Sequence, residues 1–576
     1  MTPDPTVGPN PPGWSLVPYG DRALLVELVD VDLAHRVAAV VEGALRAGRV
    51  PFAVDDVVVG LGNVVIHLGQ RPTAGPAVAW TAGLVSGVLG DRGRPAPPDR
   101  GTPGTRAPPP LEIPVEFDGP DLAEVAAAIG TTPEGVALLL TGTDLRVAFL
   151  GFSPGFPYLI GLPEPLAAVR RRPSPRPMVP AGSVAVASGF ASVYPQSTPG
   201  GWMLLGHTSV QLFDPEKPPY ALLRAGDRVR FRAAGSAGRH AGGAPLEDGP
   251  GKRAPLTAGG HRWAEVERPG FLSLLQDEGR RSVAAMGVPR AGPADPQSFT
   301  LANRLVGNAD GATSLEITVS GPALRFAGPA HVAVVASAAD SAEVTVDGLP
   351  CPDGAVIPVG PGQVVEIGRV RVGLRAYLAV AGGFDTPRTV GSRSSDVLVG
   401  LGPGPLTAGD RLGLGRPTRP HGVLTHPGSR DTPTAPVIRV VAGPHPMGGA
   451  AWEHLTTRPW TVAVDSNRVG VRLTGRDPLP VDGSPSIPST GMVTGAIQVP
   501  PDGHPIVLMP DHATVGGYPV IGCVISADLA ALGQLSPGDT VRFTAVDLEE
   551  AGRIASTGER VLGTRVSGWY PTEAGT

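Results

Sequence analysis

Three short blocks occur twice in this chain, in the same order and at nearly the same spacing. The first set is Gly182-Ser-Val-Ala-Val186, Ser197-Thr-Pro-Gly-Gly-Trp202 and Leu223-Arg-Ala-Gly-Asp-Arg-Val-Arg-Phe231. The second is Gly495-Ala-Ile-Gln-Val499, Ala513-Thr-Val-Gly-Gly-Tyr518 and Leu535-Ser-Pro-Gly-Asp-Thr-Val-Arg-Phe543. An internal repeat limits a fold more than composition does, because it sets how many similar units must be built. The first block of each set is a β-branched run opening on a turn glycine, as strands do. The second is a bend in which a ring packs and paired glycines let backbone approach something else closely. The third is a Gly-Asp turn feeding an alternating strand. Two related small β-barrels follow from this, one in each half.

With 576 residues the chain exceeds a single core, since cores stop growing at about 250–300 residues, and three to five domains are expected. Gly (80) and Pro (67) make up about a quarter of the chain, whereas a 41% hydrophobic content argues against general disorder. Many short strands joined by tight turns satisfy both numbers.

A net charge of −5, with no basic block longer than Arg170-Arg171-Arg172, leaves no electrostatic footprint for nucleic acid. Met1–Trp14 lacks the basic and apolar regions of a signal peptide, and the apolar run Ala77–Gly90 is too short to span a bilayer. Cys351 and Cys523 alone provide neither a disulfide framework nor a cysteine-rich zinc site. These points read as a cytoplasmic protein that contacts neither nucleic acid nor membrane. Lysine is confined to Lys217 and Lys252. Gly251-Lys252-Arg253 lacks both the Ser/Thr and the preceding strand of a P-loop, and neither lysine has a biotin-attachment context. Phosphate would therefore be met by arginines and backbone amides.

In order, residues 1–14 read as a disordered Pro-rich head and 15–90 as an α/β domain. In that domain strands are expected at Ala23–Leu28 and Val57–Leu68, with a helix over Ala34–Ala47. Residues 91–110 read as a Pro-rich linker and 111–232 as the first barrel. Within that barrel Asp118-Gly-Pro-Asp121 and Thr132-Pro-Glu134 are expected to cap two helices. Residues 233–258 form a second linker. The second half divides into 259–435 and a barrel at 436–546, with 547–576 as a tail. Gly151-Phe-Ser153-Pro-Gly155 fits the G-x-S-x-G pattern, but Pro154 lacks the amide an oxyanion hole needs and no helix start follows. A serine hydrolase is disfavoured.

Gly151-Phe-Ser-Pro-Gly-Phe-Pro-Tyr-Leu159, Val179-Pro-Ala-Gly-Ser-Val184 and Tyr194-Pro-Gln-Ser-Thr-Pro-Gly-Gly-Trp202 resemble the allophanate hydrolase subunit 1/KipI family, which includes the B subunit of 5-oxoprolinase. Tyr19-Gly-Asp-Arg-Ala-Leu-Leu25 resembles the opening of that family's N-terminal domain. Glu267–Arg280, Ala302-Asn-Arg-Leu-Val-Gly-Asn308, Leu315–Pro322, Arg375–Phe384, Asp465–Gly470 and 495–543 are similar to the partner family, allophanate hydrolase subunit 2/KipA, which includes the C subunit of 5-oxoprolinase. The resemblance implies a mainly β fold with cyclophilin-like β-barrels in both halves and a natural fusion of the B and C subunits. It also implies ATP-dependent opening of 5-oxoproline to glutamate, with ATP and Mg²⁺ as cofactors, no covalently attached biotin, and a separate partner, the LamB/YcsF-type A subunit. The same modules make up the carboxyltransferase region of urea carboxylase, so a carboxyltransferase acting in trans on a biotin carrier is an alternative. A regulator of a histidine kinase is another, although fusing inhibitor to antagonist would tie a two-component switch shut. The chain departs from the family pattern near Leu140 and Leu145, at Ala291-Gly-Pro-Ala-Asp295, and at Asp511-His-Ala-Thr514.

Opening a lactam requires anion binding, polarisation of the amide and proton transfer. Among the matched motifs, Asp277, Asp295, Asp511 and Tyr518 are the candidates for acid–base work. Arg280, Arg304 and Arg468 are candidate anion clamps, and Asn303 and Asn308 candidate amide ligands. Ser183, Thr198, Gly200 and Gly201, with Thr514, Gly516 and Gly517, would let backbone or hydroxyls reach a substrate or nucleotide. Each also has a plain structural reading: turn carboxylate, helix cap, surface arginine or bend. No histidine pair has zinc-helix spacing, so no resident metal is expected. The site is expected in a groove where the two halves meet.

Overall fold

The computed structural model describes residues 13–69, 74–90, 109–234, 256–257, 260–338, 340–420, 423–424, 436–481, 486–564 and 566–567. Most of the 1–14 head and of both proposed linkers, with Lys252, lies outside the described residues.

Residues 13–90 build a four-stranded antiparallel sheet in the order Trp14–Pro18, Ala23–Leu28, Asn63–Leu68, Val54–Gly60. The expected strand over Val57–Leu68 is instead a hairpin, because Leu61-Gly62 turns the chain and Gly62 takes a φ of 73°. The helix Val31–Arg46 starts where the Asp30 carboxylate accepts from the Leu33 amide at 2.7 Å.

The two repeats fold with one topology. In the first, Leu111–Val115 lies parallel to Arg228–Ala233, which leads on through Leu145–Leu150, Pro157–Ile160, Phe190–Val193 and Ser183–Ala187 to Met203–His207. An antiparallel bridge between Glu116 and His207 brings the ends together. In the second, Val437–Ala442 lies parallel to Thr540–Ala545, and the order continues through Trp460–Val462, Gly470–Thr474, Ile506–Leu508 and Ala496–Gln498 to Val520–Val524, which closes the barrel. Each barrel carries a two-stranded ribbon outside the main sheet: Arg176–Val179 with Thr198–Gly200, and Thr490–Gly491 with Val515–Gly516. The two Gly-Gly-aromatic blocks therefore occupy equivalent positions. Gly151-Phe-Ser-Pro-Gly155 is the turn of a β-hairpin, so the strand-to-helix elbow of a serine hydrolase is absent.

Thr132 caps its helix by accepting from the Gly135 amide at 3.1 Å. Asp121, expected to cap Leu122–Ala128, makes no such bond. Its carboxylate instead takes Arg172 (3.0 Å), Arg176 (2.6 Å) and the Leu204 amide (2.7 Å), because two guanidinium groups and a barrel amide hold a buried carboxylate more strongly than a helix end.

Between the barrels, residues 263–413 form two facing sheets of six and five strands around a Val/Ile/Leu core, with the helix Pro296–Leu305 packed on the five-stranded one. Residues 548–564, within the expected tail, form a helix whose Ala551 is fully buried. The N-terminal sheet joins the halves: Leu24, Val26, Val64 and Ile66 face its own helices, whereas Tyr19, Ala23, Leu25 and Val65 pack on Val441, Met492, Val520 and Cys523 of the second barrel. Both faces are thus covered.

Candidate functional site

Where the N-terminal sheet meets the second half, a cavity of about 310 Å³ opens. The first half contributes Tyr19, Arg22, Asp55 and His67, and the second contributes Arg290, Met492, His512, Thr514 and Cys523. His67 stands on Asn63–Leu68 in register with Ala23 and Asp56, on the strand face that points at the second barrel. Its Nε2 is shut off from solvent and has no hydrogen-bond partner. Burial, reinforced by His512 and Arg290, pushes the ring down to about 3, so it is a neutral imidazole. Burial lowers His512 too, and its Nδ1 donates to the Ala513 carbonyl at 2.8 Å, which leaves Nε2 as an acceptor. Thr514 is buried, with an Oγ1 that has no partner. Tyr19 reaches only the Met492 sulfur, at 3.5 Å, and burial keeps both its phenol and the Cys523 thiol protonated. The inner wall is therefore polar but uncharged. The rest of the wall carries the acidic and basic groups: Arg290 pairs with Asp55 at 2.6 Å, buried Asp56 accepts from the Ala284 amide at 2.9 Å, and Asp21, Arg22 and Glu278 complete it.

The segments 290–296 and 510–514 that wall the cavity are tied from behind by a buried ion network. Ala291, with φ 56°, donates its amide to the Pro510 carbonyl. Arg468 donates to both oxygens of Asp511 (2.9 and 2.7 Å), to Glu316 (2.6 Å) and to the Gly292 carbonyl (2.7 Å). Burial works against its charge, but Asp511 and Glu316 together outweigh that and hold it cationic. Burial likewise opposes ionisation of Glu316, and Arg468 and Arg375 outweigh it, so this carboxylate lies below its usual range. Glu316 also accepts from Tyr377 (2.7 Å) and the Ala294 amide (2.8 Å). Asp295 caps the helix Pro296–Leu305 through the Gln297 and Ser298 amides and accepts from Gln534 at 2.7 Å.

Of the residues nominated from sequence, Thr514 lines the cavity. Asp511, Asp295 and Arg468 lie directly behind its wall. Asp277 and Arg280 belong to a separate buried cluster. There the Asp277 carboxylate accepts from Ser392, the Arg393 amide and Ser394, while Arg280 donates to the Thr389 and Ser394 carbonyls. Arg304 pairs with Asp310 through two 2.7 Å bonds. Asn303 and Asn308 bond to each other at 2.9 Å and tie Ala312 and Val380. Ser183, Thr198, Gly200 and Gly201 lie on the first barrel, Gly200 directly against the Tyr194 ring. Gly516 packs on Met492 and Gln498, Gly517 receives the Ile487 amide at its carbonyl, and Tyr518 is 42% exposed. Thus the structure unites Thr514, Asp511, Arg468 and Asp295; Gly516 sits behind Met492 of the cavity wall and Arg280 reaches Asp511 only through its charge, while the others lie apart. Sequence reasoning missed His67, Arg22, Asp55 and Arg290 as site residues. Arg22 stood in the quoted Tyr19–Leu25 motif, but a lone histidine on an apolar strand carries no signal of its own.

Among the described residues, Glu116, Asp118 and His207 form a trio of metal-type ligands, exposed at the seam of the first barrel. The His207 Nδ1 is already hydrogen-bonded to Asp118 at 2.8 Å, so the trio is joined by a contact of its own.

Residues 14–223 match the model of the carboxyltransferase domain, subdomains C and D, and residues 286–545 that of subdomains A and B. The chain belongs to this carboxyltransferase-domain family. It is 35% identical over 292 residues to the 5-oxoprolinase C subunit of Escherichia coli K12, a match covering 50% of this chain and 92% of that protein. It is 52% identical over 124 residues to the 5-oxoprolinase B subunit of E. coli O157:H7, covering 21% of this chain and 56% of that protein. Urea amidolyase of Lachancea kluyveri is 32% identical over 339 residues, but those are only 18% of its length. The crystal structure of TTHA0988 superposes with a TM-score of 0.77 at 35% identity, over 91% of this chain and 99% of that one. One carboxyltransferase-family chain thus carries counterparts of the B and C subunits, and hydrolase-type relatives surround it. Among the described residues no single helix is long and apolar enough to cross a membrane.

Proposed function

We propose that this protein is the fused B and C component of an amide hydrolase that opens 5-oxoproline to glutamate with ATP, in the cytoplasm, together with a LamB/YcsF-type A subunit. One observation carries the reading: relatives named as the B and C subunits both match this chain, and its cavity draws its walls from both halves. The neutral inner wall suits an uncharged amide. Residues that would clamp phosphates are a poor fit for a nucleotide here, because Arg280, Arg304 and Arg468 all have protein partners. The carboxylates that would hold Mg²⁺, Asp277, Asp295 and Asp511, are likewise taken by protein donors. ATP and Mg²⁺ then fall to the partner, and substrate binding and orientation to this chain.

Reconstitution with a homologue of the A subunit tests it. ATP hydrolysis that depends on 5-oxoproline, and that appears only when both proteins are present, is the expected result; no turnover, or equal turnover by the partner on its own, would overturn it. The family match and the urea amidolyase relative favour a second reading, carboxyl transfer in trans to a biotin carrier. A carboxylation assay with a carrier protein separates the two.

A further inference from the structure

Three side chains of the cavity carry polar atoms that are shut off from solvent and bonded to nothing: Arg22 Nε, His67 Nε2 and Thr514 Oγ1. Leaving such an atom unpaired is costly, and folded chains leave few of them. Three around one cavity describe a site short of the partners that a ligand would bring. The groups differ in what they ask for. Arg22 Nε is a donor and calls for an anion or carbonyl. A threonine hydroxyl both donates and accepts, and so does the pair of ring nitrogens on a neutral imidazole. Around the inner wall Tyr19, Met492 and Cys523 offer no charge, and His512 adds a second neutral ring.

We infer that Thr514, His67 and Arg22 are the receptor for a small ring amide bearing a carboxylate, the amide held between Thr514 and His67 and the carboxylate at Arg22. This rests on the functional reading above and says where its substrate sits. A secondary amide offers one N–H and one C=O, which matches two neutral donor–acceptor side chains. The carboxylates that line the cavity are already engaged, Asp55 by Arg290, Asp21 by Ser526 and Asp56 by the Ala284 amide, so a ring ammonium of the same size would be stripped of water with no free counter-charge, and the site rejects it. Rejection by unpaired polar groups is steeper than rejection by a missing methylene, so selectivity for lactam over amine is large.

Calorimetry on the full-length protein without partner or nucleotide tests this, with 5-oxoproline and proline as the two probes. 5-Oxoproline binds, and proline binds at least about a hundredfold more weakly. Thr514→Val, which keeps the shape and buries a methyl where an orphan hydroxyl stood, folds with an unchanged melting point. It weakens 5-oxoproline binding about tenfold to a hundredfold, and Arg22→Gln does the same. In the reconstituted enzyme both variants raise KM for 5-oxoproline more than they lower kcat. If the reconstituted enzyme turns over 5-oxoproline while both variants keep wild-type affinity and KM, the receptor lies elsewhere and the inference fails, although the functional reading stands. If 5-oxoproline binds and the variants lose it, yet no lactam is turned over, the receptor stands and the functional reading fails.

Discussion

Arg468 shows how a single buried cation holds a wall in place. It joins Glu316 from the central sandwich to Asp511 from the second barrel, and its third partner is the Gly292 carbonyl on the opposite lip. Truncation leaves Asp511 without its paired guanidinium and Glu316 with Arg375 alone, in a place water does not reach. Arg468→Ala is therefore expected to cost about 3–5 kcal/mol in urea unfolding, whereas Arg468→Met costs less because it refills the volume. Asp396 gives a prediction in pH. Its Oδ1 takes the Leu398 and Val399 amides while its Oδ2 has no partner. Burial, helped by Asp511, pushes its carboxyl from the ordinary aspartate range up to about 7. The folded chain keeps this proton to higher pH than the unfolded one, so the contribution is full below about 4 and lost by about 7. Asp396→Asn should flatten that fall and add on the order of 1–3 kcal/mol at pH 8, read from melting curves between pH 5 and 8. At this scale the sequence was only partly readable. Thr514 stood out beside its Gly-Gly pair. His67 did not, because what makes it polar chemistry rather than core is a histidine and an arginine far along the chain.

Among the elements, the hairpin turn at 151–155 and the ribbon Val515–Gly516 show why the repeated blocks are where they are. A Cβ on Gly151 would overlap the Val515 side chain, so this glycine lets the first barrel's turn seat on the second barrel's ribbon. Gly287 closes the same junction with φ 76°, its Cα side pressed on the Ser153 carbonyl. Gly151→Val is expected to destabilise by about 1–3 kcal/mol and to loosen the halves, measured by thermal melting and by protease sensitivity at the 151–155 turn. Strand-level pattern explains much of what was legible: β-branched runs after turn glycines are strands in both barrels. It failed at Val57–Leu68, where the turn Leu61-Gly62 lies between two apolar runs and the alternation is hidden. It failed again at Asp121, where the local capping pattern lost to Arg172 and Arg176, residues no local rule could supply.

For the whole molecule, the repeat announced two barrels of one topology but not how the halves interlock. The hint lay in strands without alternation: Ala23-Leu-Leu-Val26 and Val64-Val-Ile66 are apolar on both faces, as a sheet covered on both sides must be. One face belongs to the sheet's own helices and the other to the second barrel. The first half thus completes a core of the second, and Asn63 adds bonds to the Ser489 carbonyl (3.1 Å) and Thr490 (3.2 Å) across the join. Relatives named as separate B and C subunits match this chain, and the contact between the halves is built from residues outside 235–255. Residues 1–234 and 256–576, co-expressed as two chains, should therefore copurify in equal amounts and reproduce the stability of the intact protein. Val65→Asp places a charge in the buried face against Met492 and Cys523, at a cost of several kcal/mol, and should abolish copurification. Recovery of two independent soluble halves from the wild-type pair would mean that the N-terminal sheet is held on the second barrel by the linker alone.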